Sequence, residues 1–445
     1  MAGDYSQTGF DALKHFSGVL MQQGRVQLDR DWNEQSLIVR HLLRSLARDL
    51  IGPHGGPDTG FAIDVARNKN GDLLPLDFTI APGHYYVDGI LCENDGPHPP
   101  GSSGPLPYRY TEQPDLPTPA ELESNNSYLV HLDVWEREIV ALQDHDIQDV
   151  ALCGPDTTAR TQVVWQVRVL DVTNDPEFAT KTPEEYLHGR RPGLGTGRLQ
   201  AKALQEQASD DPCIVSPDAR YRGPENQLYR VEIHRSGKAG PAGKATFKWS
   251  RDNASAALAV VRAADRMVTV ESLGHDDRLT VTVGDWVELL DDDAIVRQTS
   301  ESLLRVEDID SVELRVTLGA SPSRISLTRH PLLLRWDHRK ADGVDLADGA
   351  VPLREGSWLN LEDGVQIRFE PGGEYRTGDH WLIPARTATG DVIWPGPPDA
   401  PVWQPPHGIR HHYAPLQLIV LDGSGQLDPA GGKSYRRTIS SAAKV

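Results

Sequence analysis

A two-residue alternation of apolar and polar side chains, repeated and cut by Gly and Pro, leaves this chain little choice but β-sheet. In SYLVHLDVWEREIV, Tyr128, Val130, Leu132 and Val134 alternate with His131, Asp133 and Trp135, the pattern of a strand with one buried face. TQVVWQVRVLDV repeats it with Val163, Trp165, Val167 and Val169, and SVELRVTLG with Val312, Leu314, Val316 and Leu318. QLYRVEIHRSG, ATFKWSRDN, AALAVVRA, RMVTVES and RLTVTVGDWVELLDD extend the series. The 40 Gly and 33 Pro supply the turns between such strands. The expected fold is mainly β: several domains of β-sandwich or barrel-like blocks, with one long N-terminal helix.

Four blocks follow from the punctuation. Residues 1–55 form an arm, a loop and a helix. Residues 56–125 hold a β-meander and a Pro-rich loop, residues 126–345 a central β-rich domain, and residues 346–445 a C-terminal β-rich domain with a Pro-rich bridge, WPGPPDAPVWQPP. In FTIAPGHYYVDGILCEND, Pro82-Gly83 marks a turn and Asp88-Gly89 a tight hairpin, so residues 78–93 read as a three-stranded meander. Residues 95–119 read as a surface loop or a domain joint. TPEEYL, from Thr182, reads as a capped helical turn.

The N-terminal helix is expected from Asp29 to Leu50. Leu28, Trp32, Val39, Leu42, Leu43, Leu46 and Leu50 recur at spacings of three and four, which places them on one stripe. Asp29 or Asp31 is positioned to cap the start, and Gly52-Pro53 stops the run. Before it stands HFSGVLMQQGRVQ. Gly18 and Gly24 let this loop turn sharply, and Val19, Leu20 and Met21 are costly in water, each full burial being worth roughly 1.5–3 kcal/mol. Arg25 faces the Asp29/Asp31 pair in sequence and is placed to close the loop onto the helix by charge-assisted bonds. These residues need cover from the chain's own β-domains or from a partner subunit.

The formal charge of −19 argues against a protein that tracks nucleic-acid phosphates. No stretch of about 18 apolar residues occurs, so no membrane span is expected. The start, MAGDYSQTGFDALKHF, lacks the apolar core of a signal peptide, which predicts synthesis in the cytoplasm. Cys92, Cys153 and Cys213 are odd in number and form no CxxC, so a disulfide framework is not expected.

Several constellations suggest chemistry and fall short. SGKAGPAGKAT has the Gly243-Lys244 pair of a phosphate loop but Lys238 and Ala245 where the motif needs Gly and Ser or Thr, and a strand follows instead of a helix. GLGTGRL places Arg198 where a dinucleotide loop needs its last Gly, which leaves a flexible loop. DHDIQD departs from a calcium loop at Asp149 and Pro155. In HGIRHHYAP, His407, His411 and His412 are the candidate metal ligands. Adjacent histidines on an extended segment point to opposite sides, so no metal is expected, and His411 with Tyr413 reads as packing at the start of a strand. No G-x-S-x-G elbow supports a hydrolase. No catalytic residues and no cofactor are assigned.

FDALKHFSGVLMQQGRVQLDRDWNEQ resembles the N-terminal signature of phage-tail and contractile-injection-system structural proteins, including an uncharacterised family encoded beside phage-tail-like particle genes. Phe10, Asp11, His15, Phe16, Gly18, Val19, Leu20, Gln23, Gly24, Arg25, Leu28, Asp31, Trp32, Asn33 and Glu34 carry it. PGHYYVDGILCEN, NQLYRVEIH, TFKWSRDNAS, LEDGVQIRFEPGGEYRTGDHWLIPAR and GIRHHYAPLQL resemble later blocks of the same family. The resemblance implies a structural component of a contractile particle, at the baseplate, as a fibre or as a peripheral attachment, assembled from cytoplasmic subunits and without catalysis. It implies self-association, trimeric for example, and the other particle subunits as partners. Phe16, Gly18, Val19, Leu20, Met21, Gly24, Arg25, Leu28 and Trp32 are the expected docking residues. Two alternatives stay open. One is a particle-borne hydrolase of carbohydrate or cell wall, with two carboxylates in a cleft lined by Trp249, Trp286, Trp381 or Trp394. The other is an adhesin that holds a cell-surface glycan on the same tryptophans.

Overall fold

The computed structural model describes residues 3, 5–6, 9–148, 151, 157–190, 193–204, 220–240, 244–274, 280–323, 325–338, 345–428 and 431–439. Strands dominate, as the alternation predicts: the fold is mainly β, with several sheets, a six-stranded barrel and one long helix near the N-terminus. The chain makes two compact units, and neither is a consecutive stretch. One comprises residues 1–7, 138–160 and 194–409; the other comprises residues 8–137, 161–193 and 410–445.

The second of these units, which contains the long helix, holds three sheets. Thr438–Ile439, His54–Pro57, Gly83–Val87 and Ile90–Asn94 form one, in that order. Ile63–Arg67, Leu73–Ile80 and Tyr108–Arg109 form another, and Lys433–Ser434, His412–Val420, Ser127–Ile139 and Arg160–Asp171 a third. Their inner faces share a core built on Phe61, Phe78, Tyr85, Val130, Leu132 and Trp165. The Asp88-Gly89 hairpin forms as expected, with both residues at positive φ (49° and 80°). The three consecutive strands form too, but not as the expected three-stranded meander. Leu73–Ile80 pairs with Ile63–Arg67 and Tyr108–Arg109, so the Pro82-Gly83 turn moves the chain from one sheet to another. The Pro-rich segment 95–119 is likewise more than a loop. Tyr110 is buried and stacks on Phe78 at 4.7 Å, and Gln113 fills its hydrogen bonds with the backbone of Tyr110 and Val167.

Ser127–Ile139 departs from the half-buried reading. His131, Asp133 and Trp135 are as buried as Val130 and Leu132. On this face Leu129 joins a cluster with Tyr186 and Leu187 of the helix Pro183–Arg190. The expected Thr182 cap is present there: Glu185 N–H donates to Thr182 Oγ1 at 3.2 Å and Thr182 N–H to Glu185 Oε2 at 3.0 Å. Asp133 survives burial because Nδ1 of His411 lies 2.6 Å from it and Arg168 3.6 Å from it.

The other unit is built on a five-stranded sheet, in the order Val351–Pro352, Thr246–Ser250, Gln227–Arg235, His380–Arg386, Asp391–Val392. A three-stranded sheet of Leu359–Asn360, Val365–Phe369 and Leu199–Ala203 shares its core, which includes Tyr229, Phe247, Phe369 and Trp381. A closed barrel runs Ala257–Ala264, Met267–Val270, Arg315–Leu318, Leu304–Asp310, Trp286–Leu290, Leu332–Trp336, around Val260, Val268, Val287, Val316 and Leu333. GLGTGRL is not a free loop. Gly195 N–H donates to Asp379 Oδ2 at 2.8 Å. A Cβ on Gly197 would lie 2.2 Å from the Tyr375 ring, so this close approach requires glycine.

Candidate docking surface

The long helix, α1, spans Asp29–Ile51, within two residues of its expected limits. Its N-cap is Leu28, which offers no side-chain bond, so neither Asp29 nor Asp31 caps it. Both acids lie in the first turn, where they meet the positive end of the helix dipole. Gly52, at φ 90°, ends the helix with its N–H on the Arg48 carbonyl.

Polar and ionic ties fasten one side of α1. Arg40 Nη1 lies 3.1 Å and Arg44 Nη2 2.8 Å from Glu136 Oε1. Burial alone would raise the Glu136 carboxyl, but the Arg44 hydrogen bond and the two guanidinium charges outweigh it and hold the group below its ordinary range. Arg48 donates to the carbonyl of Asp88, in the hairpin turn. At the next residue, Gly89, a Cβ would stand 2.3 Å from the Arg44 carbonyl oxygen, so the turn can lie against α1 only with glycine there. An open hollow of about 570 Å³, lined by Arg40, Arg44, Ile90, Glu93, Glu136 and Trp165 among others, lies beside these contacts. Ile38 is the one buried side chain of the helix.

The rest of the apolar stripe faces solvent. Trp32 is 78% exposed, Leu43 61%, Leu46 56% and Leu50 77%; Leu28, Val39 and Leu42 are also exposed. The segment in front continues the same chemistry. Leu20 is 92% exposed, and Leu13, Phe16, Met21 and Val26 are exposed with it. This is local order with apolar tips, rather than a loose tail. Asp11 accepts the Leu13 N–H at 2.9 Å to start a 3-10 turn at Ala12–Lys14. His15 ends that turn at φ 55°. Gln35 Oε1 accepts the Val19 N–H at 2.6 Å, which ties the loop to α1. Gly24, at φ 68°, makes the last bend before the helix.

Of the residues singled out in the sequence, Phe16, Leu20, Met21, Leu28 and Trp32 therefore present exposed side chains on this surface. Val19 is half-buried, Gly24 bends the path while Gly18 does not take a positive φ, and Arg25 is exposed and forms no ion pair with Asp29 or Asp31. The tie between loop and helix comes from Gln35, a residue the sequence reading did not single out.

Residues 1–192 and 186–427 match DUF6519, a family of unknown function. The chain belongs to the DUF6519 family. No curated protein and no solved structure matches it.

In this DUF6519 chain the three candidate metal ligands go separate ways. His407 lies beside His380, their rings tilted by 39° with centroids 5.8 Å apart. Nδ1 of His411 meets Asp133, and Nδ1 of His412 lies 2.8 Å from Asp88 Oδ2. Among the described residues no group of three or more His, Cys, Asp or Glu side chains is arranged to hold a metal ion. His411 and Tyr413 do share a face, their rings stacked with centroids 6.0 Å apart. Cys92 is buried with its thiol pushed up by burial; Cys153 and Cys213 lie outside the described residues, as do Gly243, Asp149 and Pro155 of the rejected motifs. No described helix is long and apolar enough to cross a membrane.

The tryptophans expected to line a carbohydrate cleft do not converge on one. Trp249 and Trp381 are buried in the core, against Tyr229 and Phe369 respectively. Trp286 stacks on His338 at 6.0 Å, and Trp394 donates its indole N–H to the Val402 carbonyl at 2.9 Å.

Proposed function

We propose that this DUF6519 protein is a structural subunit of a phage-tail-like contractile particle, made in the cytoplasm and joined to neighbouring subunits through the loop and outer face of α1. The observation that carries the reading is the exposed apolar surface running from Leu13 to Leu50. A chain with formal charge −19 has ample polar surface to present instead, and so many exposed large apolar side chains on one segment mark an interaction site. The loop is held in place before any partner arrives, by Gln35 and the Asp11 turn, which lowers the ordering cost of association. The resemblance of Phe10 to Glu34 to tail-particle proteins supplies the kind of neighbour.

The test uses the full-length protein with Trp32→Ser, Leu43→Ser and Leu46→Ser together. The parent protein should sediment with a sheathed or tubular assembly when expressed with the genes around its own. The triple variant should remain folded and soluble, with an unchanged melting transition, and stay out of the assembly. Normal incorporation of the variant, or a parent protein that never sediments with such an assembly, would refute the reading.

A further inference from the structure

The sheet of Leu359–Asn360, Val365–Phe369 and Leu199–Ala203 turns Val365, Ile367, Phe369, Leu199, Ala201 and Ala203 into the core. The alternate residues form its other face. There Gln366 stands opposite Lys202, and Arg368 opposite Gln200. The Arg368 guanidinium carbon lies 4.7 Å from the centre of the Trp358 ring and 5.2 Å from that of Trp403. Lys202 Nζ lies 4.4 Å from the centre of the Trp358 ring. Arg368 Nε donates to Gln200 Oε1 at 3.0 Å, and Nη2 donates to the same oxygen. Gln200 is itself buried and anchored on the Pro401 carbonyl.

The result is a guanidinium held by two indoles and pinned along one edge by an amide. What it lacks is a counter-charge. Glu370, the acid next in sequence but one, is engaged with Arg198 at 4.0 Å. Among the described residues, neither Arg368 nor Lys202 forms an ion pair with a carboxylate. In a chain with 64 acidic residues against 45 basic ones, two adjacent cations without an acid, framed by tryptophans, form a distinct anion-seeking surface. A rigid guanidinium fork matches a carboxylate in two-pronged fashion. Indole faces take flat apolar surfaces, and the Gln366 amide is suited to hydroxyls.

We infer that this face binds an acidic polysaccharide, with a uronate carboxylate on Arg368 and Lys202 and a sugar ring against the exposed part of Trp358 or Trp403. The low charge density decides between polyanions. A nucleic acid carries a phosphate at every residue and draws its affinity from many released counterions. Two cations on a strongly acidic protein release few counterions and suit instead a polymer that presents sugar hydroxyls and ring faces beside each carboxylate. The inference stands apart from the docking role of α1 and uses none of its residues.

Isothermal titration of the full-length protein with hexagalacturonate, maltohexaose and a thymidylate hexamer tests it. Hexagalacturonate should bind at least about tenfold more tightly than the other two. Arg368→Gln should weaken it by about tenfold or more, the usual effect of losing a charged hydrogen bond. Lys202→Gln, at a half-exposed position, should weaken it by a smaller factor while leaving the Trp358–Arg368–Trp403 stack in place. The melting transition of Lys202→Gln should match the parent, while Arg368→Gln, which strips the buried Gln200 oxygen of its donors, should stay folded but melt lower. No binding of hexagalacturonate, equal binding of maltohexaose, tighter binding of the thymidylate hexamer, or full affinity in folded Arg368→Gln would each overturn the proposal.

Discussion

Two regions invert the usual placement of side chains, and they do so in opposite senses. Around α1 the apolar residues are outside: Trp32, Leu43 and Leu50 stand mostly in water. Around Lys248 the charges are inside. Lys248 and Glu288 are almost fully buried, in contact with each other through Nζ and Oε2. Glu232 Oε1 lies 3.3 Å from the same ammonium and is paired in turn with Arg230. The Trp336 indole N–H donates to Glu288 at 3.1 Å, and its ring centre is 4.2 Å from the Lys248 nitrogen. Burial alone would raise the Glu232 carboxyl, but the charges of Arg230 and Lys248 prevail and lower it. The buried charges thus find their complements within the chain. The exposed apolar residues have no such match, and the difference between the two inversions is the reason to look for the second match on another molecule.

The sharpest way to break this comparison is to remove the centre of the buried network. Lys248→Met leaves two carboxylates buried without their shared cation. It should cost about 3–5 kcal/mol, the usual loss when one partner of a buried pair is removed. Urea unfolding would read this directly. Lys248→Met combined with Glu288→Leu should recover part of that loss, because apolar replacement of a whole pair is far less costly. A single variant as stable as the parent would mean that the network does not hold these charges in place.

The next effect is a loss of stability in mild acid. His131 and His338 are both buried, each with an Nδ1 that has no hydrogen-bond partner. Burial is the leading cause that pushes each imidazole down to about 4. In the unfolded chain the same rings take up protons near pH 6.5. Below about 6.5 the unfolded state therefore gains protons that the folded state does not. Their contribution to stability is full above pH 6.5 and falls as the pH drops toward 4, with a slope of up to about 1.4 kcal/mol per pH unit for each ring. Urea midpoints between pH 7 and pH 4.5 should show it, and His131→Phe or His338→Phe should flatten the slope. Stability that is level across this window would contradict the assignment.

Gly89→Ala should cost about 1–3 kcal/mol, combining a positive-φ penalty with the clash against the Arg44 carbonyl. Because that contact is where the hairpin meets α1, hydrogen exchange should rise in α1 more than in the strand Ser127–Ile139. A uniform rise would show that the helix is not fastened at this turn.

How far these features could be read from the sequence differs between the two regions. The apolar spacing of Leu28 to Leu50 gave away α1 and its stripe, since a 3.6-residue period survives without knowledge of neighbours. It could not say that the stripe stays uncovered, because that depends on where distant strands pack. Strand alternation exposed the β architecture and the Asp88-Gly89 hairpin. It misassigned the partners of Leu73–Ile80, since sheet membership is fixed by long-range pairing and the local pattern is identical in either sheet. Lys248 and Glu232 sit at alternating polar positions of their strands, which normally marks a solvent face; only the approach of Glu288 from the barrel turns that face into an interior. The Trp358–Arg368–Trp403 stack was hidden for the same reason, its members being spread over 46 positions of sequence, from Trp358 to Trp403 inclusive. The reading of Trp249 and Trp381 as a cleft failed because residue type alone cannot separate a core indole from a surface one.

The smallest expected effect on stability is the most informative about α1. Trp32→Ser, Leu43→Ser and Leu46→Ser each remove a side chain that is more exposed than covered, so each should move the unfolding free energy of the isolated protein by no more than about 0.5 kcal/mol. If the stripe were instead packed against the protein's own surface in solution, the same changes would cost about 2 kcal/mol or more, as burial of large apolar side chains does. The measurement therefore separates a stripe awaiting a partner from one already satisfied within the chain, and it does so without the partner being known. A near-zero change in urea unfolding together with loss of particle incorporation would place the value of these residues in association. A large change in unfolding would move it back into the fold and remove the contrast with the Lys248 network.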